Sequence, residues 1–142
     1  MRTNRGEMDK AINDHFGFEA ADNLDGVMAS LADEVEHEVV PSPVGVQHEK
    51  AQVRDYYAML FASVKGEGVT PLKRYYGEDF VVDETMWHGQ ISDGRAFLCD
   101  GKSGKVSFRL LHIFEFKNGK IAREQAWCDL AAIQRQLGVK LS

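Results

Sequence analysis

The chain has 142 residues, 44% of them hydrophobic, with 17 basic and 22 acidic side chains and a formal net charge of -5. That length suits one domain with an ordinary core, and the acidic balance without any basic run excludes a surface that tracks a phosphate backbone, so no nucleic-acid partner is expected. No apolar stretch approaches the roughly 18 residues of a membrane span and the N-terminus has no signal-peptide core; with Cys99 and Cys128 read as reduced thiols, this points to a cytoplasmic protein.

Residues 1–6 carry charge and glycine without periodicity and read as a flexible tail ahead of a single domain over residues 7–142. Met8, Ile12, Phe16 and Ala20 recur at helical spacing, predicting a first helix from Glu7 to Ala21 with His15 beside its stripe. Leu24, Val27, Met28 and Leu31 predict a short second helix, opened by Asn23 and Asp25 and ended at Asp33-Glu34. Val35 to Pro41 reads as a strand, and the two prolines that stop it place it at a sheet edge. Val53, Tyr56, Tyr57, Leu60, Phe61 and Val64 define an amphipathic third helix over His48 to Val64, broken by Lys65-Gly66-Glu67-Gly68. Thr70 to Tyr76 and Asp79 to Ile91 are two further strands, and Ser92 to Lys105 is a polar, glycine-rich loop. Within it, Ala96 to Ser103 comes close to a phosphate-binding loop, but a strand rather than a helix follows, so nucleotide binding is not expected. Asp129 begins a last helix that Gly138 stops. Helices followed by antiparallel strands make an α+β fold.

The chemistry concentrates in Val106 to Leu130. Val106, Phe108, Leu110, His112, Phe114 and Phe116 alternate along one face of a strand, which turns at Lys117-Asn118-Gly119-Lys120 and runs back to Cys128. A two-residue type I′ turn would pair Phe116 with Ile121 and set Gln125 opposite His112. A three-residue loop with a bulge at Gly119 would pair Phe116 with Lys120 and set Glu124 opposite His112. The bulged loop is favoured, because it puts Ala122, Ala126 and Cys128 on the face of Phe108 and Leu110. An imidazole and a carboxylate then share an apolar concave surface, as a buried carboxylate requires.

His112 can be a core histidine or can work with Glu124, which becomes the candidate general base if burial raises its pKa. His15, adjacent to the helix stripe, and His88, near the exit of a long strand, are further candidates, while His37 and His48 read as solvated or structural. Asp129 is either an N-cap or a second candidate base. Phe16, Trp87, Phe108, Leu110, Ala126 and Cys128 are the expected substrate contacts. No histidine pair has zinc-motif spacing, so no metal is expected, although a metal held by His15, His88, His112 and Glu124 is an alternative that elemental analysis would test.

From about Phe16 to Gly138 the chain resembles the SnoaL-like polyketide cyclases, in the superfamily of ketosteroid isomerase, limonene epoxide hydrolase and nuclear transport factor two. The residues that carry it are LADEV, a PVG before the third helix, and FEFKNGKIAREQAWCDLAAIQRQLG. The resemblance implies a cone in which a curved antiparallel sheet wraps the N-terminal helices around an apolar pocket, a homodimer, and no cofactor. The donor pair of ketosteroid isomerase, in which a carboxylic acid kept neutral by its apolar surroundings donates to the oxyanion, falls at His112 and near His15. Its base aspartate falls at Val40 or Ser42, neither of which can accept a proton from carbon, and a carboxylate of the epoxide hydrolase falls at Ala126. His88 lies where the cyclases often carry histidine. The expected function is therefore a cofactor-free isomerase or lyase acting on a small, largely apolar carbonyl compound, with Glu124 or Asp129 as base and His112, with His15 or His88, as oxyanion donor. The rival is a non-catalytic ligand-binding or dimerisation module of the same fold.

Overall fold

A computed structural model describes residues 2–140. In order the elements are α1 (Arg5–Ala20), α2 (Leu24–Ser30), β1 (Leu31–Val40), α3 (Lys50–Ser63), β2 (Val64–Tyr76), β3 (Phe80–Ile91), a 3-10 turn at Arg95–Phe97, β4 (Gly104–Lys117), β5 (Lys120–Cys128) and α4 (Leu130–Gln136). The strands form one sheet in the order β1-β5-β4-β3-β2. The architecture is the expected α+β cone, with β1 at an edge. The sheet departs from expectation in one respect: β1 runs parallel to β5, so the sheet is mixed.

The first residues are not a free tail. Thr3 is buried, its N–H donates to Asp79 Oδ1 at 2.6 Å, and its hydroxyl accepts from the Gly119 N–H at 3.2 Å. Asn4 caps α1 by accepting the Glu7 N–H at 2.8 Å, while Glu7 accepts the Asn4 N–H at 3.3 Å. This reciprocal cap starts the helix at Arg5, two residues earlier than the apolar stripe alone suggests. Helix α2 ends at Ser30 rather than at Asp33-Glu34, because Leu31 already pairs with Ile121 of β5.

Two apolar clusters fill the interior. One gathers Ile12, Val27, Leu31, Val35, Val53, Phe114 and Ile121 beneath α1, α2 and α3. The other gathers Ile91, Phe97, Val106, Phe108, Ile133 and Leu137 under α4 and the 92–103 loop. The β4–β5 hairpin joins them. Its turn is the two-residue kind, with Asn118 at φ 52° and Gly119 at φ 77°, so that Lys117 pairs with Lys120 and Phe116 with Ile121. The bulge expected at Gly119 lies instead within β5: Glu115 pairs with Arg123, leaving Ala122 as the extra residue. This single insertion buries Ile121 before it and Glu124 and Ala126 after it, with the half-buried Cys128 on the same concave side. It sets Glu124 opposite Phe114 and Ala126 opposite His112, two residues away from the bulged-turn register.

Strand β2 begins at Val64, so the glycine-rich break expected after the third helix is extended backbone laid over β3. Gly89 of β3 permits that approach, since a Cβ there would run into the Lys65 carbonyl and the Trp87 ring. Gly89→Ala is accordingly expected to lower unfolding free energy by about 1–3 kcal/mol in urea melts with unchanged slope. A loss under about 0.5 kcal/mol would show that β2 does not depend on this close contact.

Candidate active site

A cavity of about 370 Å³ opens between α1, α3 and the concave face of the sheet, within the range of small-molecule pockets. Phe16, Glu19 and Ala20 come to it from α1, Tyr56, Tyr57, Leu60 and Phe61 from α3, and His37 and Val39 from β1. Strands β2 and β3 supply Val69, Thr85 and Trp87, the 3-10 turn supplies Phe97, and the hairpin supplies Phe108, Leu110, His112, Glu124, Ala126 and Cys128. The six residues expected as substrate contacts, Phe16, Trp87, Phe108, Leu110, Ala126 and Cys128, all line this space.

At its inner end a carboxylate, three imidazoles and a phenol converge. Glu124 is 1% exposed. Its Oε2 lies 3.0 Å from His15 Nε2 and 3.6 Å from His112 Nε2, while Oε1 accepts the Tyr57 hydroxyl at 2.5 Å and lies 3.7 Å from His37 Nε2. The hydrogen bonds fix the protonation of His15. Ser30 donates its hydroxyl proton to the Val27 carbonyl at 2.6 Å, so at 2.7 Å it accepts from His15 Nδ1–H. With Nδ1 committed as a donor, Nε2 meets a carboxylate oxygen favourably only by carrying a proton too, which makes His15 an imidazolium. Burial pulls the His15 pKa down, but the charges of Glu124 and then Glu19, with the Glu124 hydrogen bond, raise it to about 9. Burial likewise pushes Glu124 up, and the His15 charge and hydrogen bond, followed by His37 and His112, overcome it and hold the carboxyl well below the usual range. Glu124 is thus a fixed anion, not the base with a raised pKa expected from its burial.

A second acid, unremarked in the sequence, stands beside this pair. Glu19 lies one helical turn after His15, its Oε1 is 3.6 Å from His15 Nε2, and its side chain keeps 24% of its exposure. It reaches the cavity lining. Burial raises its pKa, His15 opposes and Glu124 adds to the rise, leaving it at about 7. His112 and His37 are held neutral mainly by burial, His112 at about 4. The His112 ring stacks on Phe114 with centroids 5.1 Å apart, and its Nδ1 has no partner among the described residues. Tyr56 is kept protonated by burial.

The remaining candidates lie elsewhere. His88 pairs with Ser107 while its neighbour Trp87 pairs with Phe108, so His88 points to the opposite face of the sheet. There its ring bonds Thr70 Oγ1 at 2.9 Å and Ser107 Oγ at 2.8 Å. Asp129 caps α4 by accepting the Ala132 N–H at 3.1 Å and is absent from the cavity lining. The Cys128 thiol is pushed up to about 11 by burial, which keeps it protonated and unreactive. Glu19, Tyr57 and Tyr56 were the residues sequence reasoning passed over, while His37, read as solvated or structural, is buried on the cavity wall. The His15-xxx-Glu19 spacing was the available signal for the first. Tyr56 and Tyr57 were visible only as parts of an apolar stripe.

Among the described residues one group brings three potential metal donors together: His15, Glu19 and Glu124, within 4.8 Å of one another. Its composition would suit a divalent cation. Here, however, the His15 Nε2–H already bonds Glu124, and a metal at that nitrogen would have to displace the proton that neutralises the carboxylate.

The ion pair has a definite pH signature. The His15 contribution to stability is complete below its unfolded pKa of about 6.5 and fades as pH rises through about 9. The Glu124 contribution is present above its unfolded value of 4.5 and is lost in acid below it. Glu124→Gln is expected to cost about 3–5 kcal/mol near pH 6, where it strands the buried imidazolium, and less by about pH 10. Urea denaturation at both pH values checks this, and an equal cost at the two would refute the pair.

The comparisons with known proteins agree with this fold. None of the curated proteins matches the sequence. Among solved structures, TsrD from Streptomyces laurentii is 20% identical, with 97% of this chain and 99% of that chain covered and a TM-score of 0.75. A protein of ketosteroid isomerase-like fold from Catenulispora acidiphila, in complex with trimethylamine, is 16% identical over 92% and 93% of the two chains, TM-score 0.74. An LEH-like epoxide hydrolase of M. tuberculosis is 17% identical over 93% and 90%, TM-score 0.71. At these identities the likeness is one of fold. The SnoaL-like domain model matches residues 12–124, most of the chain and the span from α1 to Glu124, so this protein belongs to the SnoaL-like domain family.

Proposed function

We propose that the cavity carries out proton transfer at carbon in a small, largely apolar carbonyl compound, an isomerase- or lyase-type reaction in which Glu19 is the base. The observation that carries this reading is a division between two carboxyl groups on one imidazolium. Glu124 is buried and locked as an anion, whereas Glu19 stands on the cavity wall and titrates near neutrality. Environments that push paired acids apart in this way assign their roles, and a base is most useful when its pKa lies near the working pH. Glu124 then serves to charge and position His15, and His15 in turn keeps Glu19 from remaining protonated at neutral pH.

In the proposed step the Glu19 carboxylate takes the proton from a carbon next to the carbonyl. The C–H electron pair moves into the new carbon–carbon double bond, and the carbonyl pair moves onto oxygen as an enolate. Return of the proton from Glu19 to a different carbon completes an isomerisation; loss of a leaving group completes an elimination. The Tyr56 hydroxyl is a suitable donor to the enolate oxygen. It lines the cavity, stays protonated, and makes no hydrogen bond to another described residue. A well-placed donor of this kind is worth about 3 kcal/mol. His112 adds a second ring at the same wall. The epoxide hydrolase and the liganded Catenulispora protein among the structural neighbours support a small-molecule cavity in this fold. The homodimer and the cytoplasmic setting expected from the sequence remain parts of this proposal.

The test is deuterium incorporation from solvent into a panel of pocket-sized ketones. The rate constant kcat/KM is expected to rise through about pH 7 as Glu19 ionises and to fall through about pH 9 as His15 loses its proton. Glu19→Gln should reduce exchange by about 10²–10⁴-fold, and Asp129→Asn should leave it unchanged. Exchange that survives Glu19→Gln would remove Glu19 as base, and exchange no faster than buffer throughout would favour a binding module.

A further inference from the structure

Glu19, Asp22, Glu67 and Glu124 all reach the cavity lining, and among the described residues no lysine or arginine does. Three of the four carboxylates have a cation of their own: Glu124 the His15 ring at 3.0 Å, Asp22 the Lys65 ammonium at 2.9 Å, and Glu67 the Lys105 ammonium at 3.7 Å. Glu19 has no lysine or arginine within ion-pair distance among the described residues. It shares His15 at 3.6 Å with the closer Glu124. The two other imidazoles on the wall, His37 and His112, are neutral. The lining therefore offers a surplus of negative charge and, among the described residues, no lysine or arginine to pair with an anionic ligand.

That asymmetry selects among ligands. A carboxylate or phosphate entering this space would leave water to face the incompletely matched Glu19 with no free cation beside it, which the low dielectric of an enclosed cavity makes costly. A cation would meet the opposite situation. Phe16, one helical turn before Glu19, lines the same space with Tyr56, Phe61 and Trp87, and aromatic rings attract ammonium groups that have left water. Apolar walls around one incompletely matched acid suit a greasy molecule with a single positive charge.

We infer that the ligand of this cavity is a hydrophobic organic cation, a protonated tertiary amine or a quaternary ammonium, with its charged nitrogen beside Glu19. The inference deepens the proton-transfer proposal and rests on it for the identification of the bound cation as substrate. A positive nitrogen near the reacting carbon would also stabilise the carbanion character that forms as Glu19 takes the proton.

Three probes of nearly one shape separate charge from fit: benzyltrimethylammonium, its neutral isostere neopentylbenzene, and phenylmethanesulfonate. Binding is read at about pH 8 by tryptophan fluorescence, since Trp87 lines the cavity, and by calorimetry. The cation is expected to bind about tenfold or more tighter than the neutral isostere, and the anion not to bind. Glu19→Gln should bring cation and isostere to within about threefold of each other without weakening the isostere, whereas Asp22→Asn should preserve the preference. Equal binding of cation and isostere by the wild-type protein, tighter binding of the sulfonate, or no binding by any of the three would overturn the inference without needing any variant. Because these measurements read no turnover, they can fail while ketone exchange by Glu19 persists, and the reverse outcome is equally distinguishable.

Discussion

A carboxylate that is almost wholly shielded from water has to be neutralised where it lies, and in this protein the His15–Glu124 ion pair does so. The two partners come from opposite ends of the chain, one from the first helix and one from the last strand. Isolated burial of either charge would be prohibitive. Their meeting therefore ties α1 to the hairpin as strictly as the apolar clusters on either side do. Ser30 fixes the far side of the imidazole and Tyr57 the far side of the carboxylate, so α2 and α3 are held to the same point. Three helices and the last strand converge on one charge pair.

The same pair gives the cavity its chemical character. A carboxylate locked as an anion and an imidazole locked as a cation are poor proton carriers at neutral pH, but together they set the field in which Glu19 sits. Burial favours the Glu19 acid, Glu124 favours it further, and His15 favours the anion. The outcome is a group balanced between its two forms at the edge of an apolar space. The surrounding aromatic walls exclude water, which strengthens each of these interactions.

Much of this was legible in the sequence, and the failures have physical causes. The helix stripes and the two-residue alternation of Val106 to Phe116 gave the elements, and the apolar parity of β4 and β5 gave four of the six cavity contacts, Phe108, Leu110, Ala126 and Cys128. The inward direction of Glu124 was read correctly although its mechanism was not. A bulge at Ala122 produces the same facing as a bulged turn, because either insertion reverses strand parity, so burial pattern alone cannot separate them. The parallel pairing of β1 left no local mark, since its partner β5 follows only after α3 and the strands β2 to β4. Glu19 was missed because an acid four residues after a histidine is usually a solvated helix pair. Only the third dimension shows that this turn of α1 faces a carboxylate from β5. His88 and Asp129 were drawn in by residue type, yet strand parity and the capping bond turn them to other tasks.

The most direct test of the ion pair is nitrogen-15 NMR of the ring-labelled histidines. If His15 is the buried imidazolium, both its ring nitrogens will show protonated shifts at about pH 7.5 and will titrate together near pH 9, while His112 stays neutral across neutrality. A His15 ring with one unprotonated nitrogen at that pH would contradict the pair, and with it the electrostatic basis for Glu19 as a proton carrier.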